Sequence, residues 1–98
     1  MARNQASVDC AAGSWTQLTN ADADNITFQV TSGNVFIRFT TDATTPTEAR
    51  GQMYQLRDGK VNAALSTLTT LSGAKRVWAK PTIEDRNAIV YVDHADAA

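Results

Sequence analysis

The stretch NITFQVTSGNVFIRFTT, residues 25–41, constrains this chain more than any other. Apolar and polar residues alternate on both sides of a Ser-Gly pair, which is the period of a strand with one buried face. Ile26, Phe28 and Val30 share one face of the first half, and Val35, Ile37 and Phe39 share one face of the second. A two-residue Ser32-Gly33 turn predicts a β-hairpin pairing Val30 with Val35, Phe28 with Ile37 and Ile26 with Phe39. All six large side chains then land on one face, and a register shifted by one residue would divide them.

Shorter alternating stretches extend the pattern. QASVDC (residues 5–10) turns Ala6, Val8 and Cys10 inward, and SWTQLT (14–19), KRVWAK (75–80) and AIVYVD (88–93) read as further strands. MYQLRDGKVNA (53–63) contains Asp58-Gly59 and predicts a second hairpin pairing Leu56 with Val61. In ALSTLTTLSG (64–73) the alternation breaks, and Leu65, Leu68 and Leu71 recur every third residue, as in a short helical turn or a leucine-anchored loop. Thirteen threonines, β-branched and at home in strands and turns, reinforce the reading. The expected fold is all-β: a compact antiparallel β-sandwich of jelly-roll type, with about eight short strands and at most one helical turn. Its 98 residues suit a single domain, 1–98, because halves would be too small to bury a core. Residues 1–5 are expected as an N-terminal arm and 95–98 as a flexible tail.

Composition narrows the functional classes. Nine Lys and Arg against ten Asp and Glu leave a formal charge of −1, and the cations are scattered. That is not the basic stripe of a nucleic-acid binder. No run approaches the ~18 apolar residues of a membrane span, and MARNQASVDCAAG lacks the apolar segment of a secretory signal. The single cysteine, Cys10, cannot form an intramolecular disulfide framework or a Cys-based zinc site. With no His or basic neighbour it reads as a small buried hydrophobe, in a protein expected to fold in a reducing cytoplasm.

Catalytic and metal motifs are not found in the sequence. His94, the one histidine, stands close to the end without a placed nucleophile or orienting carboxylate, and reads as a tail residue. NADADN (20–25) alternates oxygen ligands like the start of a calcium loop. Its sixth and twelfth positions, however, are Asn25 and Thr31 instead of Gly and Glu, so it reads as a polar turn. PTEARG and IEDRN mix acids and bases as solvated loops do. The expectation is a non-enzyme without cofactor or metal.

What remains is a surplus of apolar residues. Phe36 lies opposite the apolar face of residues 25–41, and AIVYV (88–92) is apolar on both faces. Trp78 alternates with Val77 and Ala79, so it and they face opposite sides; Trp15 is open to the same choice between core and surface. Two readings account for the surplus: a loop that covers it, such as the leucine segment, or an interface between subunits.

Five stretches in order carry a family resemblance: GSWTQLTNADADNITFQVTSGNVFIRFTT, ATTPTEARGQMYQL, LSTLTTLSG, KRVWAK and AIVYVDHA. Together they span most of the chain and resemble small structural proteins of tailed-bacteriophage virions. The resemblance implies a β-sandwich module of the virion, assembled in the host cytoplasm, and brings no catalytic residues. The expected function is capsid decoration, or cementing, with the major capsid protein and further copies of the chain as partners. A homotrimer is the favoured assembly, and Arg3, Asn4, Gln5, Phe36, Arg38 and Trp78 are the candidate interface residues. The alternatives are a fibre or tail-tip module that touches the host surface and a carbohydrate-binding sandwich.

Overall fold

The computed structural model describes residues 4–83 and 86–95. In chain order the strands are β1 (Ala6–Cys10), β2 (Thr16–Gln17), β3 (Asn25–Ser32), β4 (Val35–Thr40), β5 (Gln52–Tyr54), β6 (Gly59–Ala64), β7 (Arg76–Pro81) and β8 (Ala88–Asp93). One helical turn, α1 (Leu65–Leu68), follows β6 and is anchored by the buried Leu65. The strands form two four-stranded antiparallel sheets, sheet A in the order β1-β8-β3-β6 and sheet B in the order β2-β7-β4-β5. The chain is an all-β sandwich.

Its pairing follows one rule. β1 pairs with β8, β2 with β7, β3 with β6 and β4 with β5, so the chain is a long antiparallel ribbon folded over on itself. Contacts of β3 with β8 and of β4 with β7 then close the folded ribbon into sheets. Inward positions from both sheets fill the space between them: Val8 and Cys10, Ile26, Phe28 and Val30, Val35 and Ile37, Val77 and Ala79, Ala88, Val90 and Val92. Phe28 meets Tyr54 edge-on across this core, with ring centroids 5.1 Å apart.

The six residues of the predicted apolar face, Ile26, Phe28, Val30, Val35, Ile37 and Phe39, point inward, Phe39 the least deeply, yet the predicted hairpin does not form. β3 lies in sheet A and β4 in sheet B, so the turn after Ser32 carries the chain across the core. Val30 bonds to the backbone of Arg57 and Asp58 (2.8 and 2.9 Å), while Val35 pairs with Tyr54 and Pro81. The physical reason is that alternation specifies an apolar face but not how it meets its partner. Placing the two faces against each other across a sandwich buries both, whereas a hairpin leaves both needing a second layer. Gly33 makes the crossing with φ of +76°, and a Cβ there would lie 3.2 Å from that of Ala88. The second predicted hairpin fails in the same way. β5 and β6 belong to different sheets, and Leu56 and Val61 are exposed at 48% and 85% instead of paired.

The connections gather at two ends. At one, Ala12 N–H donates to Asn87 Oδ1 (2.9 Å), while Leu56 N–H and Thr82 N–H donate to the side chain and backbone of Asn34 (2.9 and 3.0 Å). At the other, Ala23 N–H donates to Lys75 O, Leu65 N–H to Asp24 O and Lys75 N–H to Thr40 O, at 2.9 to 3.0 Å. Among the described residues no helix is long and apolar enough to cross a membrane.

Candidate interaction surface

Outward positions of sheet B form three rows. Phe36 stands between Lys80 and Met53 in one, Arg38 pairs with Trp78 and Trp78 with Gln17 in the next, and Thr40 pairs with Arg76 in the third. Trp15, one residue before β2, joins the first row, and the Lys80 ammonium lies 6.0 Å from its ring centroid. Sequence spacing hides this grouping, because residues 36–40, 53 and 76–80 come from three strands and residue 15 from the approach to a fourth.

A strap is fastened to that face. Residues 41–51 run from β4 to β5 without regular structure, and three successive carbonyls are gripped from below. Trp15 Nε1–H donates to Glu48 O (2.8 Å), Lys80 Nζ to Ala49 O (3.3 Å) and Arg38 Nη1 to Arg50 O (2.9 Å). The Arg38 guanidinium also lies 3.6 Å from the Glu48 carboxylate. At the strap's start Thr40 Oγ1 donates to Asp42 O, and Asp42 Oδ1 accepts from Thr44 N–H (2.9 Å). That backbone bond is the main reason the Asp42 carboxyl sits below its ordinary pKa.

Trp78 is only 6% exposed although it points away from the core, and its Nε1–H donates to Thr40 Oγ1 (2.8 Å). Trp78, expected as an interface side chain, is thus buried within the single chain. Val77 and Ala79 fill the core on one side of β7 while Trp78 is buried on the other. The loop fastened to this face is the 41–51 strap, while Leu68 of the leucine segment packs against the core cluster. Phe36 and Arg38 share the strapped face and are half-buried; Asn4 and Gln5 are exposed ahead of β1, in the other sheet; Arg3 lies outside the described residues. The structure therefore brings together Phe36, Arg38 and Trp78, and leaves Asn4 and Gln5 apart from them.

Sheet A has a different exterior. Tyr91 lies between Ser7 and Gln29, Asp9 pairs with Ile89, and Asp93 pairs with Thr27. Ile89 and Tyr91, the outward half of AIVYV, are half-buried.

His94 is not a tail residue: it is only 7% exposed, with Nδ1 3.1 Å from the Ala95 carbonyl oxygen. It follows the inward positions Ala88, Val90 and Val92 in period two, a signal present in the sequence. In the 20–25 turn, Asp22 pairs with Arg76 (2.7 Å) and Asp24 with Lys75, so its acids clamp the start of β7. Cys10 is fully buried. Among the described residues no three His, Cys, Asp or Glu side chains cluster as a metal site. Comparison with protein-family models, with curated proteins and with solved structures finds no match to this chain.

Proposed function

We propose that this chain is a tailed-phage virion structural protein, a capsid decoration (cement) protein that binds the head surface as a homo-oligomer. The observation that carries the reading is the unequal finish of the two sheets. Sheet B carries a strap of its own beside the buried Trp78 and the half-buried Trp15 and Phe36, whereas sheet A presents Ile89 and Tyr91 half-buried on its inner strand β8. Burial of such a face between copies is favoured by ~25 cal/mol per Å² of apolar area, and a symmetric oligomer achieves it with one repeated patch. A trimer would match the three-fold positions of a capsid. The ribbon pairing of first strand with last supports a jelly-roll reading of the sandwich, an architecture common in capsid proteins.

Burial of Trp78 takes away one support for the fibre and glycan alternatives, an exposed tryptophan platform. The test combines mass spectrometry of purified particles with light scattering of the isolated protein. Copies on heads and a multimer at micromolar concentration are expected, and Tyr91→Ser should weaken both. A monomer that never binds heads and labels fibres or tail tips instead would overturn the reading in favour of the fibre module.

A further inference from the structure

The strap occupies its face in a way that any extended chain could copy. Its grip comes from three donors, the Trp15 indole, the Lys80 ammonium and the Arg38 guanidinium, and all three read main-chain carbonyls. Among the described residues one strap side chain forms a salt bridge with a donor of this grip, the Glu48 carboxylate beside Arg38. Beneath lies an aromatic floor in which Trp78 is buried outside the sandwich core. We infer that this face is a docking site for an extended peptide carrying one acidic residue, held closed in each copy by the chain's own residues 48–50.

The attachment is suited to release. Residues 41–50 are exposed except for the half-buried Pro46, so few of the strap's own side chains are buried while it is seated. The bonds that hold residues 48–50 run from side chains to backbone at exposed positions and lie outside the strand ladders. Segments held this way open locally at far lower free energy than the core. The sandwich beneath would stay intact, because β4 still pairs with β7 and β5 with β4. A tethered segment competes at an effective concentration in the millimolar range, so a free peptide meets a largely occupied site. A partner must therefore present many copies of its segment close by, or loosen the strap first. This inference is independent of the virion reading.

The probe is a blocked peptide, TPTEARG, copying residues 45–51. It is titrated by calorimetry into the intact chain and into a variant in which residues 42–50 are replaced by Gly-Ser-Gly-Ser. The shortened chain should bind at least about tenfold more tightly than the intact one, reflecting loss of the tethered competitor. A peptide with Gln in place of Glu should bind more weakly, and Arg38→Ala in the shortened chain should abolish binding. Glu48→Ala in the full-length chain keeps all three donors and should bind the probe with intermediate affinity, which guards against a shortened chain that fails to fold. Acrylamide should quench the tryptophans more strongly in Glu48→Ala than in the wild type, and the added peptide should restore protection. A folded Glu48→Ala chain that neither binds the peptide nor loses tryptophan protection would overturn the inference. Equal affinity of the intact and loosened chains would do the same.

Discussion

Phe28 is the largest fully buried side chain of the sandwich, and its neighbour Tyr54 shows how finely such a core is balanced. Truncation by Phe28→Ala removes an aromatic ring from a site with little room to relax, at a cost of about 3–5 kcal/mol. Small domains have a net stability of only about 5–15 kcal/mol, so the urea midpoint should fall sharply or the transition lose cooperativity. Tyr54→Phe should act in the opposite direction. The Tyr54 hydroxyl is buried without a hydrogen-bond partner among the described residues, so its removal should stabilise the fold by about 1 kcal/mol. Burial first, and then the charge of Asp58, raise the Tyr54 pKa above its ordinary value of 10.0. A raised folded-state pKa means that this contribution is complete below pH 10 and is lost as pH rises through the folded value. Melting temperature against pH should therefore fall less steeply on the alkaline side in Tyr54→Phe than in the wild type.

Strands were legible in the sequence because burial has period two, and their partners were not because pairing has no local signature. Val8, Cys10, Val77, Ala79, Val90 and Val92 all face the core, on the strands the alternation predicts. The leucine segment does form a helical turn. Ser32-Gly33 and Asp58-Gly59 do mark reversals but not hairpins: Gly33 turns the chain between sheets, and the second reversal lies at Leu56-Arg57, with Arg57 at φ of 78° and Gly59 already in β6. The strap was missed for a related reason: PTEARG looks solvated, and its three donors stand at 15, 38 and 80, far apart in the chain. Gly59 offers a test at this scale. A Cβ there would collide with the Phe28 carbonyl, in the ladder between β3 and β6. Gly59→Ala should therefore cost about 1–3 kcal/mol, within the range of mutations with a defined steric cause. A substitution at exposed Val61 on the same strand, such as Val61→Thr, should stay within about 0.5 kcal/mol. Urea denaturation of both variants measures the contrast, and equal effects would contradict the observed pairing.

Across the whole molecule, the ribbon pairing makes distant parts of the chain depend on each other. β1 supplies Val8 and Cys10 to the core and covers one side of β8, so deletion of residues 1–10 should abolish the cooperative thermal transition. Because β1 must find β8 and β2 must find β7, native contacts close long loops, and refolding should take milliseconds to seconds by stopped-flow fluorescence. The same ladder sets Ala6 directly against Val92. The chain therefore enters β1 and leaves β8 at one corner, on the end that also holds the strap. A passenger fused before β1 would emerge beside one fused after β8, and a few flexible residues could join the two strands into a ring or allow new ends to be opened at the far loops. For anything that displays this sandwich in many copies, one corner serves as the site of attachment for both ends, leaving the opposite loops free to face outward.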